Sequence, residues 1–103
     1  MRCIVKVTFP VEAGNEAIRT GKLQKNIKSI LDELKPEAAY FYAEHGRRGG
    51  ILVVDLKDPS QIPMVAEPFF LAFNAAVQIF PAMTIEDLMK AGPHFESVIK
   101  KYA

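Results

Sequence analysis

The sequence predicts an α+β domain in which four antiparallel strands carry helices on one face. Three observations lead there. Four short runs rich in β-branched and aromatic residues are interleaved with segments of helical periodicity, in the order strand, helix, strand, strand, helix, strand. The two central strands are separated only by a glycine-rich stretch, "HGRRGG", which suits a hairpin. Each strand also presents one wholly apolar set of alternate residues, as a sheet with a single covered face requires.

The elements follow in order. "CIVKVTF" (3–9) is a strand ended by Pro10. From Asn15 to Leu34, Ala17, Ile18, Leu23, Ile27, Ile30, Leu31 and Leu34 recur at helical spacing with charged residues between them, so one amphipathic helix is expected. Gly21 weakens it locally, and Pro36 ends it by displacing its predecessor from helical geometry. "AAYFYAE" (38–44) and "GILVVDL" (50–56) are the second and third strands. Asp58 is a good N-cap and Pro59 a good first-turn residue, while Pro63 and Pro68 predict a kinked or two-piece helix through Phe73. Asn74 terminates that helix, and "AAVQIF" (75–80) is the fourth strand. Thr84 caps a short helix with Glu86 and Asp87 in its first turn, and Met83 and Leu88 stand at hydrophobic-staple positions. After "AGP", "HFESVIKKYA" (94–103) forms a last helix with Phe95, Val98, Ile99 and Tyr102 on one side, a tail expected to dock on its own domain or on a partner. The order is that of the ferredoxin-like split βαβ arrangement, β-α-β-β-α-β, in a single domain spanning 1–103.

Alternation divides each strand. Cys3, Val5, Val7, Phe9, Ala39, Phe41, Ala43, Leu52, Val54, Leu56, Val77 and Ile79 are expected beneath the helices. The other face collects Ile4, Lys6, Thr8, Tyr40, Tyr42, Glu44, Ile51, Val53, Asp55, Ala76, Gln78 and Phe80. Placing Tyr42 opposite Val53 and Glu44 opposite Ile51 keeps these faces with a six-residue loop, and any even shift would keep them too. This second face is too apolar for free exposure and too polar for a dry interior, so a second copy of the chain, a ligand, or both must cover it.

The strand order, the chain length, the half-polar open face and the "FPAMTIEDL" segment after the last strand resemble the dimeric α+β barrel superfamily. That group includes muconolactone-isomerase-like proteins and antibiotic-biosynthesis-type monooxygenases. The resemblance implies a homodimer formed through the open sheet faces, with a pocket between sheet and helices. It implies, as activity, a cofactor-independent isomerase or monooxygenase acting on a small aromatic or lactone-like compound.

The residues themselves leave two readings open. Lys6, Glu44 and Asp55 are candidate catalytic groups, because a lysine or carboxylate withdrawn from water shifts toward neutrality; equally, they form structural ion pairs. Tyr40, Tyr42, Gln78 and Phe80 are candidate ligand-binding residues, and tyrosine suits an interface equally well. The alternative is therefore a non-catalytic dimeric structural or ligand-binding module. His45 and His94 each stand alone, without ligand spacing, and Arg47 and Arg48 read as solvated turn or rim residues. Phe69, Phe70 and Phe73 are mostly core at helical spacing. No metal site and no cofactor loop is legible, and the lone Cys3 sits in an apolar run as a small core residue. With 13 basic and 12 acidic residues scattered along the chain, nucleic acid is not an expected partner. The absence of a leader pattern and of a long apolar run makes a cytoplasmic location, away from membranes, the expectation.

Overall fold

The computed structural model describes residues 1–103. Its strands are β1 (Arg2–Thr8), β2 (Ala38–Glu44), β3 (Arg47–Asp55) and β4 (Ala76–Pro81). Its helices are α1 (Val11–Arg19), α2 (Lys22–Leu34), α3 (Ile62–Phe73), α4 (Ile85–Lys90) and α5 (Gly92–Tyr102), with a 3-10 turn at Pro59–Gln61. The strands form one antiparallel sheet in the order β2-β3-β1-β4. The expected α+β class and four-stranded antiparallel sheet are present, and the individual elements refine it.

The expected single helix over 15–34 is two helices. Its first part begins earlier, at Val11, and ends at Thr20; Gly21 then takes a φ of 72°, which an L residue with a side chain adopts only with strain. Pro63 falls in the first turn of α3, and the helix continues through Pro68, so the expected break is confined to the preceding 3-10 turn. Asp58 caps that turn, its carboxylate accepting from the Ser60 amide at 2.9 Å. Asn74 ends α3 in the left-handed region.

The hairpin differs most from expectation. His45 and Gly46 alone form the turn, both with positive φ, the pattern of a type I′ turn whose twist matches its strands. Glu44 therefore faces Arg47, Tyr42 faces Gly49 and Tyr40 faces Ile51. The register is displaced by four residues from the one expected. An even displacement preserves the faces, but it moves Arg47 and Arg48 out of the loop and into β3.

Beneath the helices lie Cys3, Val5, Val7, Leu52 and Val54 from the strands, Leu56 just past β3, and Val65, Phe69 and Phe73 from α3, all buried. The Phe9 ring packs within this layer, 4.9 Å from the Phe73 ring and 6.5 Å from the Phe69 ring in tilted geometry. Phe70 is largely exposed, so two of the three expected phenylalanines are core.

The chain after β4 leaves this body. The Ala82 amide still donates to the Arg2 carbonyl at 3.0 Å. Beyond it, Thr84 and Asp87 form a reciprocal capping box at the start of α4, where the sequence reading had credited Asp87 only with favouring the helix dipole. Neither α4 nor α5 contributes a buried residue, and Met83 and Leu88 are both exposed. The molecule consequently measures 59 × 28 × 20 Å, with a radius of gyration of 17.3 Å where about 13 Å is usual for a compact chain of this length. The tail does not cover its own sheet.

Candidate functional site

Two surfaces hold the residues with functional potential, one on each side of the sheet. On the open side the register builds three transverse rows: Ala38, Val53, Ile4 and Phe80; then Tyr40, Ile51, Lys6 and Gln78; then Tyr42, Gly49, Thr8 and Ala76. The face grades from an apolar row to polar and small ones. Tyr40 is 68% exposed and Phe80 45%, so large aromatic surface stands in water on the isolated chain. All four residues expected to bind a ligand here, Tyr40, Tyr42, Gln78 and Phe80, do share this face.

The three candidate acid–base residues do not form one group. Lys6 Nζ lies 2.7 Å from a Glu44 carboxylate oxygen, reaching across β3, where this face carries only Gly49 between them. The hydrogen bond and charge of Glu44 raise the lysine's pKa, and those of Lys6 lower the glutamate's. Both side chains remain about a third exposed. Asp55 lies apart, at the end of the face beside Arg2. It is hydrogen-bonded to Lys57 at 2.7 Å and to the Met1 amino group at 3.1 Å, and Lys57 above all holds its carboxyl at about 2. Each of the three is thus driven away from neutrality, opposite to the shift that a general acid or base operating near pH 7 requires. His45 is an exposed turn residue, and His94 sits exposed in the first turn of α5. No group of three or more potential metal ligands converges anywhere.

The second surface lies on the helix side and was not anticipated. Phe41 and Ala43 have the parity of buried residues, yet both are exposed, Phe41 by 45%. The reason is topological. β2 is an edge strand, and α2 stands off from it far enough to leave a cleft of about 400 Å³. Phe9, Leu23, Ile27, Phe41 and Ala43 supply its apolar walls, and Gln24, Tyr42, Arg48 and Gly49 complete its lining. Gly50, opposite Phe41, shapes it: a Cβ there would lie 2.7 Å from the phenylalanine ring, so the ring rests on bare backbone.

Arg48 reaches this cleft because the two-residue turn places it in β3 opposite Ala43, on the helix-facing side with Leu52 and Val54. Its Nη1 donates to Asn15 Oδ1 at 3.0 Å. The buried Gly14 of α1 makes room for it, since a Cβ at that position would come within 2.8 Å of the same nitrogen. The signal for this placement was in the sequence. Counting alternate residues back from Leu52 reaches Arg48, through glycines that a loop would carry equally well.

Among solved structures, the chain is similar to a formyltetrahydrofolate deformylase from Pseudomonas putida KT2440, with a TM-score of 0.50 and 14% sequence identity. The match covers 80% of this chain and 29% of that one, so it concerns the fold alone. No curated protein matches the sequence. No helix is long and apolar enough to cross a membrane. Residues 1–95 match the family described as a domain of unknown function, DUF3303, and the chain, from its first strand to the start of its last helix, belongs to that family.

Proposed function

We propose that this protein is a homodimeric, ferredoxin-like small-molecule-binding module of the dimeric α+β barrel kind. In this reading its open sheet faces pair and its ligand sits in the cleft between α2 and β2. The observation that carries the binding reading is the cleft itself. A space of about 400 Å³ walled by Phe9, Leu23, Ile27 and Phe41 falls within the range of pockets that enclose small organic molecules. Binding is favoured over catalysis because Lys6, Glu44 and Asp55 are committed to ion pairs that fix their charge.

The dimer reading rests on the exposed Phe80, Tyr40 and Tyr42 beside the half-buried Ile4, Ile51 and Val53. Four strands spaced at about 4.8 Å and roughly six residues long give a face about 20 Å square. That is near 400 Å² in projection, against roughly 800 Å² per partner in a standard stable interface. The sheet face alone falls short, and the exposed apolar side of α5 supplies further surface if it lies on the partner.

The test uses N-phenyl-1-naphthylamine, a neutral dye that brightens in apolar sites. Saturable binding at one dye per chain, abolished by Ile27→Trp, is the expected result. A linear, unsaturable response that Ile27→Trp leaves unchanged refutes the cleft as a site. Light scattering tests the dimer, which is excluded by a mass of 11.5 kDa at micromolar concentration.

A further inference from the structure

The α4–α5 tail is built as two helices with no core beneath them. The capping box of Thr84 and Asp87 starts α4, and Pro93 stands in the first turn of α5, where a proline suits a helix. Phe95, Val98, Ile99 and Tyr102 fall at i, i+3, i+4 and i+7, a single stripe along α5, and each is at least half exposed. Neither helix buries a residue. At six and eleven residues, both are shorter than the ~12–15 that an isolated helix needs in water. Their helical form therefore depends on a surface that takes up the stripe.

The chain's own body does not supply that surface, and a lipid surface fits poorly. Lys90, Lys100 and Lys101 are balanced in the tail by Glu86, Asp87 and Glu96, whereas helices that lie in a membrane interface carry a basic excess. A second copy of the chain fits in position. The tail follows directly on Phe80 and Pro81 of β4, so it begins at the margin of the open face. A second sheet packed on that face would lie about 10 Å away, within reach of an α5 about 16 Å long. A second copy also fits in area. The sheet face supplies near 400 Å² of the roughly 800 Å² per partner in a standard interface. A helix stripe about 16 Å long and 10 Å wide adds about 160 Å². In a two-fold dimer each copy gives one tail and receives one, which counts the stripe twice and brings the total near 700 Å².

We propose that the partner of the α4–α5 tail is a second copy of this chain. The two copies exchange tails, each laying Phe95, Val98, Ile99 and Tyr102 on the other's body, and the tail takes its helical form on that surface. This rests on the homodimer reading and deepens it, because it makes the tail a second element of the interface beside the sheet face. Folding of the tail is then coupled to association, as in segments that order only when bound.

Photochemical cross-linking of the full chain tests the exchange. With p-benzoylphenylalanine placed at Phe95 in a re-equilibrated mixture of isotope-labelled and unlabelled chains, illumination should join labelled to unlabelled chains. Cross-links confined to single chains overturn the inference. Phe95→Glu combined with Ile99→Glu should raise the dimer dissociation constant at least tenfold in sedimentation equilibrium, while the melting of the dilute chain stays unchanged. A constant within about twofold of the parent's overturns the inference. Far-UV circular dichroism should lose helical signal as the wild type is diluted through dissociation, and a signal that stays constant overturns the coupled folding. Co-sedimentation of the wild type, but not of the double variant, with phosphatidylcholine–phosphatidylserine vesicles overturns the choice of a second copy in favour of a lipid surface. A dimer that the double variant leaves intact defeats only this inference. A wild type that stays monomeric at every concentration defeats the homodimer reading beneath it as well.

Discussion

The two faces of this sheet are made by the same four strands, one residue out of step with each other, and they have opposite characters. Under the helices, Val5, Val7 and Leu52 are fully enclosed beside Phe69. On the open face, Ile4, Lys6 and Ile51 are neighbours of those residues in the chain and remain partly in water. The first face has found its cover within the chain. The second has not, and the one segment left over, the α4–α5 tail, projects away from it. Stability is therefore concentrated on one side of the sheet, and the helical cover runs out at β2, where the cleft lies.

The covered face should respond most to truncation. Phe69→Ala removes a fully buried ring that packs on Phe9, and such changes cost about 3–5 kcal/mol. Urea denaturation should register most of that loss. Tyr40→Ala on the opposite face should change the stability of the isolated chain by less than about 1 kcal/mol. Equal effects from the two would mean that the faces do not differ as described.

How much of this contrast was legible in the sequence depends on parity and on ends. Alternation assigned Cys3, Val5, Val7, Leu52 and Val54 to the covered side, because a period of two needs no knowledge of neighbours. It placed Phe41 there as well and could not foresee its exposure, which depends on how far α2 reaches over an edge strand. Gly21 does more than weaken its helix: a glycine at φ 72° ends one, where a glycine with helical angles only weakens it, and the sequence does not distinguish the two. Arg48 was lost to the hairpin. Glycines mark both loops and strands that other groups approach closely, and Gly49 and Gly50 are buried members of β3. Lys6 and Glu44 meet across β3, whereas Asp55, on the same face, is claimed by the N-terminus and Lys57, partners that alternation does not reveal.

The next largest effect expected is on assembly. Phe80→Glu places a charge in the apolar row with Val53 and Ile4. If a second copy covers this face, the variant should be monomeric at concentrations where the parent is dimeric, with a melting temperature close to that of the diluted parent. Sedimentation velocity distinguishes the two species. A dimer that survives Phe80→Glu places the interface elsewhere.

Removal of residues 91–103 should act on the same equilibrium more weakly. No residue of α5 is buried, so the body should fold without it, while any contact of Phe95, Val98 and Ile99 with a partner would be lost. The expected outcome is a dimer dissociation constant raised about tenfold or more, with little change in the unfolding of dilute protein. A truncated chain that dimerises as well as the parent would show the tail to be a bystander.

The smallest effect concerns Asp55 and sharpens the contrast at its polar margin. Its carboxyl is held at about 2, below the ordinary 3.8, by Lys57 and by the Met1 amino group. A depressed value means that the ionised form favours the folded state, so the contribution is complete above about pH 4 and fades as the pH falls toward 2. Asp55→Asn should consequently melt slightly below the parent at pH 6, and the two curves should converge in acid. The shift should be small, since the group and both its partners are exposed to water. Lys6 with Glu44 gives the comparison: Lys6 lies in the middle row of the same face and its ammonium holds Glu44, at the end of β2, whose value is lowered in the same sense. If a partner covers the centre of the face but not its margin, added salt should weaken the contribution of Asp55 at every protein concentration. It should weaken that of the Lys6–Glu44 pair only when the protein is dilute enough to dissociate, because pairs shielded from solvent are screened less. Equal salt sensitivity of the two at high protein concentration would mean that the centre of the face is as wet as its edge, and the open face would then be open in the assembled protein too.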